Sequence, residues 1–307
     1  GGEGTVTTVA GNRDCGYGGD GGLAISAQLN SPIGLALDED GERLFFADYL
    51  NNRVRFVDLS TGLIDTYAGT GLDGNPIDGE IAALVNMSLP HGLEWVPASK
   101  TLYLAQRGSL EPSGSGRMIW RIVEQGLPAP TILHVAGSGE LAAPIDGDAM
   151  QSPLPAPASI VVDALETRAY VVANYEDEAI LEILNPRSST PTLRTLIGKG
   201  PGNDDCLEPI PSDPQISNLC FPEGIAFSGD GGLFITLRRN YAIIRYDRET
   251  DTVTTIAGNQ SENLENYRGE GPALDVTLAT PYALTSDGES GFYMSETTGF
   301  IIRHYTP

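Results

Sequence analysis

The stretch Ser31–Gly69, SPIGLALDEDGERLFFADYLNNRVRFVDLSTGLIDTYAG, decides the fold. It contains four short runs rich in β-branched, aromatic and aliphatic residues: PIGLAL, RLFFADY, RVRFVD and LIDTYAG. Turn-forming residues separate them, as in Asp40-Gly41 and Ser60-Thr61-Gly62. Runs of this length between such residues read as strands joined by short turns.

The same order recurs along the chain. The first strand returns as LPHGLEWV (Leu89–Val96), APASIVVD (Ala156–Asp163), FPEGIAFS (Phe221–Ser228) and TPYALTSD (Thr280–Asp287). The second returns as TLYLAQR, AYVVANY, GLFITLR and GFYMSE, and the third as GRMIWRIV, EAILEIL, YAIIRYD and FIIRHYT. The fourth has five copies, ending at Gly11 (TVTTVAG), Gly69, Gly137, Gly198 and Gly258. The spacing is about sixty residues, and nowhere is there sustained helical periodicity. A four-stranded unit repeated in series predicts an all-β β-propeller of antiparallel blades. The chain opens on a fourth-strand element and stops after a third-strand element. The expectation is therefore one domain over residues 1–307 with five blades, the N-terminal strand Thr5–Ala10 closing the last blade and covering its edge.

The repeat also disposes of a motif. Gly16-Tyr17-Gly18-Gly19-Asp20-Gly21 matches G-x-G-x-x-G, the spacing that cradles a pyrophosphate at a helix start. The same loop recurs after the other fourth strands without that spacing. What recurs is an acidic-Gly pair: Asp20-Gly21, Asp78-Gly79, Asp146-Gly147 and Glu270-Gly271, with CLEPIPSDPQ in the remaining copy. Glycine supplies positive φ in such corners, and aspartate bonds the loop backbone.

The 41 acidic residues outnumber the 18 basic ones, giving a formal net charge of −23. Such a field repels phosphate backbones and anionic membranes, so nucleic acid is an improbable partner and no run reaches transmembrane length. The chain begins Gly1-Gly2-Glu3, which reads as a processed or excised polypeptide.

Ser31–Gly62 and the recurring V-T-T-x-A-G with its D-G-x-A loop resemble the NHL-repeat family, in the longer form found in secreted and cell-surface proteins such as the teneurins. The likeness spans essentially the whole chain and is strongest in the first unit. Most relatives have six blades, so five departs from the usual number. The resemblance implies a binding or structural module, with a few enzymes among its relatives.

In enzymes of that architecture the residue after the strand-opening proline faces the channel mouth. Here those positions are Ile33, His91, Ala158, Glu223 and Tyr282. A catalytic zinc needs about three ligands. His91 alone qualifies, since His134 and His304 fall in outer strands, so zinc lyase chemistry is not expected and His91 reads as an ordinary channel-rim residue. A calcium-dependent lactonase or esterase would gather Glu, Asn and Asp oxygens around a channel ion. Glu223 is the one rim carboxylate, and Asp48, Gln106, Asn174 and Glu296 end second strands, from which convergence is not required. Calcium is thus the only cofactor left open, and no metal site is assigned. There is no G-x-S-x-G nucleophile elbow. Asp38-Glu39-Asp40-Gly41-Glu42 lacks EF-hand spacing. Arg121, Arg245 and Arg303 recur on third strands as salt-bridged framework.

Cys206 and Cys220 flank one irregular loop, where a disulfide would contribute about 3 kcal/mol. Cys15 is then odd, a free thiol or a link to another chain. Asn86 and Asn259 head N-x-S sequons in the same class of loop. Together these point to the cell exterior. The expected function is a non-enzymatic platform within a larger protein or assembly, contacting other proteins or copies of itself. Its candidate contact loops are Gly108–Gly116, Asn203–Cys220 and the loop around Cys15. The alternative is a channel-mouth metal-dependent hydrolase.

Overall fold

Short runs of β-branched, aromatic and aliphatic residues between turns form strands, and these set the architecture of the computed structural model. Residues 7–38, 40–109, 116–124, 129–174, 178–198, 210–215, 219–260, 270–288, 290–298 and 301–307 are described. The fold is a five-bladed β-propeller, every strand antiparallel to its neighbour. Among the described residues the helical elements are short 3-10 turns, and no helix is long and apolar enough to cross a membrane.

The chain divides into two compact units, Gly1–Val135 and Ala136–Pro307. The first holds the sheet β1 (Pro32–Leu37), β2 (Arg43–Asp48), β3 (Arg53–Asp58), β4 (Leu63–Ala68), and the sheet β5 (Pro90–Val96), β6 (Thr101–Gln106), β7 (Met118–Val123), β8 (Thr131–Ala136). The second holds β9 (Gly147–Asp148) with β10 (Pro157–Val162), β11 (Arg168–Ala173), β12 (Ala179–Leu184) and β13 (Thr192–Ile197). After these come β14 (Pro222–Phe227), β15 (Leu233–Leu237), β16 (Ala242–Asp247) and β17 (Thr252–Ala257), then β18 (Pro281–Ser286), β19 (Phe292–Glu296) and β20 (Ile301–Tyr305).

Within each unit the sheets pack face to face through apolar side chains. Phe45 stacks on Trp95 at 5.3 Å between the first and second sheets, and Phe234 meets Phe292 at 4.9 Å between the fourth and fifth. Tyr170 of the third sheet meets Phe227 of the fourth edge-on at 5.8 Å. Glycines next to the rim positions permit the close approach of inner strands. A Cβ on Gly34 would lie 1.9 Å from the His91 carbonyl oxygen, and one on Gly224 would lie 2.7 Å from that of Tyr282.

The A-G and Asp-Gly elements serve as a latch. After each fourth strand the glycine N–H bonds a carbonyl further along the loop: Gly11 to Ala24, Gly69 to Ala82, Gly137 to Ala149, Gly198 to Pro214, Gly258 to Ala273. The loop then lies along the outer strand of the next sheet. Gly21 N–H donates to Ile64 O, Gly79 N–H to Ile132 O, and Gly147 pairs with Leu193. The glycines take positive φ there, as the sequence predicts (75° at Gly21, 84° at Gly79). The aspartates do something different from bonding their own loop. Asp78 Oδ1 accepts the His134 N–H (2.6 Å), and Asp146 Oδ1 accepts that of Thr195 (2.7 Å). The copy without an Asp-Gly pair keeps the latch through the Val253 N–H to Ser212 O bond, 2.8 Å. An outer strand is an open edge, and these loops cover it.

Among the described residues the last sheet has three strands. Of the expected closing strand, Thr5 and Val6 lie outside the described residues, and Thr7–Ala10 carry no strand assignment. A groove of about 860 Å³ runs beside β20, lined by Gly271, Ala273, Leu278 and Met294.

Candidate functional site

The residue before each strand-opening proline has positive φ although none is glycine: Ser31 (54°), Leu89 (49°), Ala156 (25°), Phe221 (51°) and Thr280 (53°). An L-residue in this region costs about 1–2 kcal/mol. Four of these carbonyls accept the N–H of a residue just past the second strand: Arg107, Asn174, Arg238 and Thr297. First-strand starts and second-strand ends are thereby tied together in every repeat where this bond forms, and the tie sets the position of the polar residues.

In the second unit it brings Asn174 to Glu223. The Asn174 Nδ2 donates to Glu223 Oε2 at 2.9 Å, and both residues are buried. Second-strand ends do converge with the rim carboxylate here, through a contact that the sequence left open. Arg238 Nη1 stands 3.6 Å from Glu223 Oε1. Glu178 joins the cluster from the start of β12: burial pushes its carboxyl up to about 7, against the Phe221 backbone bond and the Arg239 charge, with Glu223 adding to the rise. Asn174 Oδ1 is buried with no acceptor role filled. Chemically this is a partly neutralised carboxylate pair bordered by two guanidinium groups.

The other rim positions differ in kind. His91 is 9% exposed, accepts a 3.4 Å contact from Arg107 Nη1 at its Nε2, and meets the edge of Tyr49 at 5.7 Å. Ile33 packs on the core of the first unit, and Ala158 is buried in the second. The Tyr282 carbonyl accepts the Thr236 hydroxyl at 2.6 Å.

Of the remaining second-strand ends, Asp48 and Glu296 hold backbone. Asp48 accepts the Asn30 N–H (2.7 Å) and the Asn51 Nδ2 (2.8 Å), and faces buried Arg55 at 3.4 Å. Glu296 accepts the Ala279 N–H (2.7 Å) and pairs with Arg303. Gln106 Nε2 donates to Asn75 at 3.2 Å. Of the third-strand arginines, Arg303 pairs with Glu296, and Arg245 bridges Asp230 and Asp247. Among the described residues no cluster of three or more His, Cys, Asp or Glu is placed to hold a metal.

Cys15 is an exposed free thiol whose Sγ donates to Asn30 Oδ1 at 3.2 Å. Cys220 is buried, and Cys206 lies outside the described residues. Asn86 and Asn259 are both exposed. Asn86 Oδ1 accepts the Thr70 hydroxyl, and Asn259 Nδ2 donates to Thr277 Oγ1 at 2.9 Å. Most of the loops Gly108–Gly116 and Asn203–Cys220 lies outside the described residues.

Sequence reasoning missed the apolar character of the latch loops. Leu23 and Ile25 in the first, Leu72, Ile77 and Leu84 in the second, Ile145 in the third and Leu274 in the last are each more than half exposed. Ile77 and Ile145, each just before its Asp-Gly pair, were the available signal.

No family model matches the chain. The protein Suppressor of quenching 1, chloroplastic, of Arabidopsis thaliana is 23% identical over 283 residues, 91% of this chain and 25% of that protein. The chain spans about a quarter of the length of that curated relative. A solved protein of unknown function from Bacteroides thetaiotaomicron superposes with a TM-score of 0.61 at 14% identity, over 92% of this chain and 61% of that one. An auxiliary nutrient binding protein from the same organism gives 0.54 at 14% identity, over 97% and 75%. A chain of a nidogen/laminin complex gives 0.55 at 14% identity, over 89% and 74%. At such identity the likeness concerns the fold alone.

Proposed function

We propose that this β-propeller is of the NHL-repeat type and is a non-enzymatic, extracellular binding platform within a larger protein, making its contacts through the latch loops. The observation that carries this reading is the set of exposed apolar side chains on those loops, Leu72, Ile77 and Leu84 above all. Large apolar residues recurring on loops held by a rigid scaffold mark a contact surface. Second-strand carboxylates bound to backbone N–H groups are consistent with a scaffold role. The larger context is supported by the match to a quarter of a longer relative. The extracellular setting rests on the acidic charge, the Asn86 and Asn259 sequons as glycan acceptors, and a Cys206–Cys220 bridge. The auxiliary nutrient binding protein and the chain of the nidogen/laminin complex share the fold, and binding by this chain is part of the proposal.

The test is crosslinking mass spectrometry of the native protein, read together with its glycans and disulfides. Crosslinks from the latch loops to another protein, lost in a Leu72→Ser, Ile77→Ser, Leu84→Ser variant, are the expected result. Hydrolysis of esters or lactones by the purified chain, abolished by Glu223→Gln, would replace the platform with a hydrolase.

A further inference from the structure

A cleft of about 560 Å³ lies in the second unit, between β11, β12 and β13 of the third sheet and β16 with the β14–β15 turn of the fourth. Arg168, Arg194, Arg245 and Arg248 all line it. The whole chain has 18 basic residues against 41 acidic ones, whereas this cleft sets four guanidinium groups against four carboxylates, Glu182, Asp230, Asp247 and Glu249.

Arg168, Arg194 and Arg245 are held in place by carboxylates whose own oxygens are occupied. Glu182 is 1% exposed and accepts Arg168 Nη1 at 2.5 Å, the Tyr170 hydroxyl at 3.1 Å, and Arg194 Nε. These donors hold its carboxyl below the usual range despite burial. Asp247 accepts the Glu249 and Thr250 N–H groups and Arg245 Nη1 at 3.0 Å, while Asp230 accepts Ser228, Gly232 and Arg245 Nη2. Among the described residues Arg248 donates to the Gly231 carbonyl, at 3.4 Å, and lies over the Tyr170 ring. A guanidinium carries five N–H donors. The bonds from Arg168, Arg194 and Arg248 each commit a single nitrogen of theirs, which leaves further donors on all three for a ligand. Glu249 is the remaining carboxylate on the rim.

We infer that this cleft binds the carboxylates of an acidic segment on a partner protein, through Arg168, Arg194 and Arg248. The inference rests on the platform reading and names one surface of it. Planar guanidinium groups favour paired carboxylate oxygens. The chain's overall negative field opposes a long acidic partner, so a short acidic segment, engaged at moderate ionic strength, fits best.

The test is a fluorescence-anisotropy titration of the intact chain with fluorescein-labelled hexaglutamate at 150 mM salt, using labelled hexaglutamine and inorganic phosphate as comparators. Saturable binding of hexaglutamate is expected, at least about tenfold weaker in Arg248→Gln and in Arg194→Gln, and unchanged in Arg187→Gln. Arg194→Gln removes one partner of buried Glu182. Arg248→Gln leaves that carboxylate undisturbed and decides the matter if the first variant unfolds. The inference is overturned if hexaglutamate shows no saturation up to about 1 mM, if Arg248→Gln binds it as tightly as the parent, or if hexaglutamine or phosphate alone binds. Crosslinks to a partner from the latch loops with none near this cleft would overturn the inference and leave the platform standing.

Discussion

At the residue scale the strongest constraints are on glycines that no catalytic motif would flag. Gly34 has φ +45°, and its position leaves no room for a side chain against the His91 carbonyl. Gly34→Ala is expected to destabilise by about 3 kcal/mol through overpacking and backbone strain, measured by urea unfolding. Gly79 also has positive φ but nothing lies within 4 Å of its would-be Cβ, so Gly79→Ala costs only about 1 kcal/mol. Glu178 gives a second prediction. Burial raises its folded carboxyl from the ordinary 4.5 to about 7, so between those values the folded chain binds more protons than the unfolded one. Its contribution is most favourable below about 4.5 and is lost as the pH rises through 7. Glu178→Gln therefore matches the parent's melting temperature near pH 4.5 and exceeds it at pH 8. A variant that follows the parent's pH profile throughout would refute the assignment.

At the scale of elements, the repeat made the strands legible because the same order of four runs and the strand-opening proline recur in each unit. The Asp-Gly pair was legible as a corner but not as a latch. Asp78 and Asp146 reach N–H groups some fifty residues further on, at His134 and Thr195, and local sequence carries no sign of that partner. Asp78→Ala removes one bond to an edge strand, worth about 1 kcal/mol. Amide exchange at His134 is expected to accelerate about fivefold, while protection in β6 is retained. Equal acceleration in both strands would mean that the aspartate supports the whole unit. The candidate site was half legible. Glu223 follows from its place after Pro222. Its partner Asn174 arrives through the Ala156 carbonyl, whose positive φ lies before a proline, where sequence rules point to extended backbone.

At the scale of the whole molecule, charge dominates behaviour in solution. A formal net charge of −23 on 307 residues makes self-repulsion a standing cost of folding. Raising sodium chloride from about 10 to 150 mM shortens the Debye length from roughly 30 to 8 Å, and the melting temperature is expected to rise. A fall over that range would show that local ion pairs such as Arg55–Asp20 outweigh the global field. The −23 balance was fully legible, but the arginine cleft was not. Arg168 and Arg194 sit in one sheet and Arg245 and Arg248 in or beside the next, so their convergence depends on how neighbouring sheets face each other.

The latch has a consequence for how such a chain is copied. The loop that precedes β1 covers β4, and both lie between Asn12 and Gly69. A duplication or deletion that runs from one A-G to the next therefore carries its own edge cover with it. A cut made at the turn between third and fourth strands would part an outer strand from its cover. The viable joints for adding or removing a unit are the positions just after Gly11, Gly69 and Gly137, and blade number can change there without exposing a raw sheet edge.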